Sequence, residues 1–233
     1  MHYYSMEGIW LYIVLVVPAM ILAIIAQIKV KSTYKKYRKI PNSRGMTGQQ
    51  AALYVLNQYG ITDVMIRPID GTLTDHYDPR NKVISLSKDI YYGTDVASVG
   101  IACHEAGHAA QHAENYMPIK VRNAIIPACN IGSYVGIPIA LVGYFLGFEP
   151  LIIVGLALYS LIAVFQLVTL PVEFDASARA MKIIKAGNLL YDQEVSGARS
   201  VLTAAAMTYV ASLAVTLANL LRFILLFLGK RSK

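Results

Sequence analysis

The sequence predicts a mainly α-helical integral membrane protein with about three to four transmembrane helices and a small cytoplasmic α+β part. Three observations carry that reading. Of the 233 residues, 56% are hydrophobic and only 15% charged, and the mean hydropathy of +0.48 lies on the membrane-protein side of the usual range. Apolar stretches of about the twenty residues needed to cross a bilayer core recur at Ile9 to Ile28, Asn123 to Phe148, Leu151 to Leu170 and Leu202 to Leu228. Between the first two lies a block, Ile61 to Ser87, in which short β-branched runs alternate with turn residues.

The net charge of +7 does not read as nucleic-acid binding. Seven of the basic residues cluster between Lys29 and Arg44, directly after an apolar stretch, a placement that sets membrane topology and favours anionic lipid. The two cysteines, Cys103 and Cys129, have no paired spacing, so neither a disulfide framework nor a cysteine zinc site is supported. Both read as small apolar fillers, compatible with a reducing, cytoplasmic-facing site.

Ile9 to Ile28 carries no charge, Trp10 and Tyr12 suit its interfacial end, and Pro18 is a point of bending. A signal peptide is the rival, but the leader holds Glu7 instead of a basic cluster and no A-x-A site follows. The stretch is therefore an anchor with its N-terminus outside and Lys29 inside. Thr47 is placed to cap a helix running to about Tyr59, with Ala51, Ala52, Val55 and Leu56 as its apolar face and Gly60 as its stop. Within Ile61 to Ser87, an exposed edge strand near Val83 to Leu86 is the expected place for extended substrate backbone to pair; a purely structural hairpin is the alternative.

Ser87 and Asp95 are local cap candidates before a helix from Val96 to Glu114. Inside it stands His104-Glu105-Ala106-Gly107-His108, an H-E-x-x-H pattern. One helical turn separates the two histidines, so both imidazoles reach one zinc ion, and Glu105 lies beside the metal as a base for the water it activates. The plain alternative is an ordinary helix, against which stands the cost of uncompensated charge in so apolar a stretch.

Gly147 to Pro150 joins the next two apolar stretches without Lys or Arg, so they form a transmembrane hairpin whose turn is outside. Pro171 then starts a helix with Glu173 and Asp175 in its first turn, and Arg179, Lys182, Lys185 and Arg199 keep this region inside. A fourth span over Leu202 to Leu228 would leave Lys230, Arg231 and Lys233 outside, against the charge rule; a span ending near Arg222 or a helix packed in the bundle are the alternatives. The expected divisions are an anchor (1–28), a catalytic part (29–122), the hairpin (123–170), a helix carrying a third metal ligand (171–200) and a C-terminal apolar helix (201–233).

A catalytic zinc keeps three protein ligands and one open position. His112 is about 12 Å along the helix from His104 and cannot share its ion. Glu173 is the choice from the remaining Glu173, Asp175 and His76, although a helix-dipole partner explains it equally well. Asp175 either orients a ligand histidine or pairs with Arg179 at i+4. His76, with Tyr77 beside it, is a candidate donor to a developing oxyanion or simply a turn residue.

With those residues identified, the chain resembles the YugP-type family of neutral zinc metallopeptidases, membrane proteins of bacteria, over nearly its whole length. The resemblance rests on Gly45 to Ala52 (GMTGQQAA), Leu73 to Ser87 (LTDHYDPRNKVISLS), Val99 to His112 (VGIACHEAGHAAQH), Leu170 to Ala180 (LPVEFDASARA) and Gly197 to Leu221. It is also similar to the wider membrane gluzincins, the prenyl-protein and heat-shock quality-control peptidases. The resemblance implies a zincin-like catalytic part in which Zn2+ is bound by His104, His108 and Glu173, with Glu105 as general base. Where the wider group has Asp four residues after that Glu, this chain has Ser177, and Asp175 is the nearest substitute.

The expected activity is endopeptidase cleavage in membrane protein processing or quality control, by a multi-pass protein of the bacterial plasma membrane whose active site faces the cytoplasm. The expected partners are a protein or peptide substrate, membrane proteins included, and the lipid bilayer, but no nucleic acid; a homo-oligomer or a regulatory membrane partner fits as well. The competing functions are a non-catalytic zinc-binding membrane scaffold or regulator, which would normally need a fourth protein ligand, and a zinc hydrolase of non-peptide substrates.

Overall fold

The computed structural model describes residues 8–228; Glu7, Lys230, Arg231 and Lys233 lie outside them. The described residues form helices α1 (Gly8–Tyr37), α2 (Gly48–Gln58), α3 (Lys88–Tyr91), α4 (Val96–Ala113), α5 (Met117–Leu146), α6 (Glu149–Ala186) and α7 (Asp192–Leu228), with strands β1 (Met65–Ile69), β2 (His76–Asp78) and β3 (Val83–Ser87). Four helices, α1, α5, α6 and α7, are long and apolar enough to cross a membrane. The described residues divide into two compact units, one of residues 8–27, 120–170 and 208–228, the other of Ile28–Ile119 and Pro171–Met207.

The long helices extend beyond their apolar stretches. α1 continues through the lysine-rich run to Tyr37, because Lys, Arg and Gln are good helix formers and no breaker intervenes. Its turn Tyr12–Val16 is a π-helix. Pro18 lacks an N–H and its ring crowds the carbonyl of Val14, and the wider turn accommodates both.

Pro171 does not start a helix. It lies inside α6, where it forfeits one hydrogen bond to the Leu167 carbonyl while helix-forming residues on both sides carry the helix through. Glu173 and Asp175 are consequently mid-helix, and a helix-dipole role at an N-terminus no longer accounts for them.

In the first unit, α5 and α6 are joined by a turn at Gly147 (φ +65°), and a small core of Ala140, Ile152 and Leu156 packs with Tyr144, Phe223 and Leu226. In the second unit, Thr47 caps α2 in a reciprocal capping box with Gln50, and Ala51, Ala52, Val55 and Leu56 are buried. Asp95 caps α4 by accepting the Ser98 N–H at 2.9 Å. Ser87 precedes α3 without a side-chain cap; its hydroxyl instead bonds Asp75 at 3.1 Å.

The sheet order is β1-β3-β2. β1 runs parallel to β3, from Met65 opposite Val83 to Ile69 opposite Ser87, and β2 runs antiparallel, with His76 opposite Ser85. β3 is therefore the central strand and not an edge, which overturns the placement of an edge at Val83 to Leu86. Ile84, Ser85, Leu86 and Ser87 are all fully buried, so both faces of β3 are covered. β1, with Pro68 in it, and β2 hold the edge positions.

Candidate metal centre

The α4 helix sets His104 and His108 one turn apart, with ring centroids 4.7 Å apart and nearly perpendicular planes. Glu173, on the α6 segment of the same compact unit, offers one oxygen to each. Oε2 is 3.4 Å from His104 Nε2 and Oε1 is 3.7 Å from His108 Nε2. One ligating atom from each of the three residues lies within 4.8 Å of the others.

Small residues make this approach geometrically possible. A Cβ on Gly107 would sit 2.7 Å from the Ala176 carbonyl oxygen, so only glycine lets the α4 backbone touch α6 there. Ala102, Ala106, Ala109, Ala110, Ala176 and Ala180 are buried around the crossing. The glycine in HEAGH is thus a packing requirement of the site.

The outer nitrogens of both imidazoles are held. His108 Nδ1 is 3.0 Å from Gln111 Oε1, and Gln111 Nε2 donates to the Val172 carbonyl and to Asp175 Oδ2, each at 2.8 Å. Two acceptors on its nitrogen fix the orientation of the buried Gln111 amide, so its oxygen must accept from His108 Nδ1–H. Ser177 Oγ lies 3.1 Å from His104 Nδ1 and plays the same part there. Both Nε2 lone pairs then face the Glu173 carboxylate. Three acceptors converging in a largely buried space can hold a metal ion between them. The donor set, two imidazoles and one carboxylate, fits zinc.

Asp175 does not touch a histidine. It receives Arg179 Nε at 2.6 Å across one turn and reaches His108 only through Gln111. Arg179 continues the chain of contacts to Glu114 and sits over the rings of Tyr59 and Tyr116. Gln111 escaped the sequence reading, although an amide three residues after a ligand histidine in an apolar helix had to find partners. Ser177, visible only as a departure from the wider pattern, occupies the place of a histidine-orienting group.

Glu105 is 8% exposed and lies next to the cluster on α4. Burial raises its pKa above the ordinary carboxylate value. Burial likewise pushes the Cys103 thiol up, leaving it an unreactive filler. His76 lies in β2 with Nδ1 2.9 Å from the Thr74 carbonyl and is not part of the ligating group. His112 is also outside that group and meets the Tyr77 ring edge-on at 5.7 Å.

The comparisons with known proteins agree with this chemistry. The family model described as "Putative neutral zinc metallopeptidase" matches residues 12–228. A protein of Bacillus subtilis (strain 168) named "Putative membrane protease YugP" is 44% identical over 223 residues, covering 96% of this chain and 99% of the relative. No solved structure matches. A family match that includes the motif helix, the α6 segment with Glu173 and the apolar helices alike leads to one conclusion: the chain belongs to the YugP-type family of neutral zinc metallopeptidases.

Proposed function

We propose that this protein is a membrane-embedded, gluzincin-like zinc endopeptidase of the bacterial plasma membrane. The observation that carries the reading is the convergence of His104, His108 and Glu173 beside the buried Glu105. A zinc ion held there would supply Lewis-acid chemistry, which polarises a carbonyl and lowers the pKa of water to about 7. His104, His108 and Glu173 hold the ion, while Ser177 and Gln111 keep the imidazoles turned toward it. Glu105 takes the proton from the attacking water and passes it to the leaving amine.

Extended substrate backbone pairs along a sheet edge. β2 is the edge strand in question, because Tyr77 packs on His112, one turn beyond His108. His76 on the same strand is the candidate oxyanion donor. The basic run Lys29 to Arg44 supports a cytoplasmic position for this unit, and the four apolar helices support membrane proteins as substrates in processing or quality control.

Glu105→Gln tests the mechanism. The variant is expected to retain zinc at wild-type stoichiometry by elemental analysis and to lose peptide hydrolysis by about a hundredfold or more. Retained hydrolysis would refute the role of Glu105; a zinc-loaded wild-type protein that cleaves no peptide would favour the scaffold.

A further inference from the structure

A cavity of about 410 Å³ lies between one face of α6 and one face of α7, within the unit that also holds the metal centre. Its volume is in the usual range for a ligand pocket, about 300–1,000 Å³. The lining sorts by chemistry. Phe174, Met181 and Leu202 present apolar surface, while Lys182, Lys185 and Arg199 present three cations. None of these three cations pairs with a carboxylate among the described residues. All three are exposed, so their charges are open to an anion from outside the chain.

The polarity of the cavity runs along the helices. On α6, Phe174 follows closely on the apolar stretch that ends at Leu170, and Lys182 and Lys185 come two to three turns later. On α7, Arg199 precedes Leu202, and the chain then continues into its apolar stretch. On both walls the cation lies at the end remote from the apolar stretch. That is the signature of an amphiphile, with its charged head among Lys182, Lys185 and Arg199 and its hydrocarbon against Phe174, Met181 and Leu202. An acidic peptide would satisfy the cations but would leave Phe174, Met181 and Leu202 without an apolar partner.

We infer that this cavity is a binding site for a phospholipid with a net negative headgroup. Ser177, which touches His104, also lines the cavity, so the test reads binding and not hydrolysis, and its outcome stands apart from the proposed activity.

Full-length protein in a neutral detergent is titrated with fluorescent phosphatidylglycerol, with phosphatidylcholine, inorganic phosphate and an acidic peptide as competitors. Phosphatidylglycerol is expected to bind at least about tenfold more tightly than phosphatidylcholine, and each cation removed should weaken it roughly fivefold. Combined Lys182→Ala, Lys185→Ala and Arg199→Ala should abolish binding, whereas Lys82→Ala and Lys88→Ala, which remove exposed cations outside the cavity, should change it less than about twofold. Circular dichroism and gel filtration check folding, and Lys185→Gln alone serves if the triple variant does not fold. Phe174→Ser should weaken the lipid and leave inorganic phosphate unaffected. An equal loss in the Lys82 and Lys88 controls, phosphate competing as well as the lipid, or an acidic peptide displacing the lipid at lower concentration would each overturn the assignment.

Discussion

The α4–α6 crossing in one unit and the α5–α6 hairpin in the other both bring helix backbones into contact through a glycine. A Cβ on Gly107 would meet the Ala176 carbonyl oxygen at 2.7 Å, and one on Gly155 would meet the Ala140 backbone nitrogen at 2.4 Å. What surrounds the two contacts differs. Around Gly155 the packing is apolar, with Ile152 and Leu156, on helices long and apolar enough to cross a membrane; in a bilayer such close approach would substitute for a hydrophobic driving force. Around Gly107 the space is lined by Glu173, the two histidines, Gln111 and Ser177. Every buried polar group there must be satisfied, so close approach also determines which donors meet which acceptors. One device for proximity yields packing in one place and a metal-binding geometry in the other.

The largest effect expected from that contrast belongs to Gly107→Val. The new side chain must displace the Ala176 carbonyl and move Glu173 away from the histidines. Zinc content by elemental analysis should fall, and hydrolysis should drop by about a hundredfold or more. Gly155→Val should lower thermal stability while leaving zinc stoichiometry unchanged; equal zinc loss in both variants would erase the distinction drawn between the two contacts.

A smaller change is expected from Gln111→Ala, which frees His108 Nδ1–H and removes a donor from Asp175. Zinc affinity measured by chelator competition should weaken about 10- to 100-fold, and an unchanged affinity would show that Gln111 is not the orienting group. Ser177→Ala should fall at the low end of that span, about tenfold, because His104 loses one contact and no further network. The smallest effect is assigned to Glu114→Ala. Its half-exposed ion pair with Arg179 stands at the rim of the network, so chemical denaturation should register a loss below about 1 kcal/mol.

The sequence reading and the structure diverge where a local signal meets a distant constraint. Pro171 carries a helix-start signal, yet α6 runs through it because the residues on either side favour helix and one missing N–H is a modest loss. The run Val83 to Ser87 has the alternation of a strand, but whether it lies at an edge depends on β1 returning beside it. Gln111 looked like an ordinary polar residue because its partners, Val172 and Asp175, lie about sixty residues away in the chain.

What the sequence determined by itself is local and periodic. The apolar stretches, the Thr47 cap, and the placement of His104 and His108 on one helical face follow from residue types and the 3.6-residue turn, which need no distant partner. Only the tertiary structure decided which strand is central, that Glu173 meets the two histidines, and that Ser177 and Gln111 hold their outer nitrogens. These depend on α4 and α6 approaching closely enough at Gly107 and Ala176 for buried polar groups to find one another, and no window along the chain contains both sides of that contact.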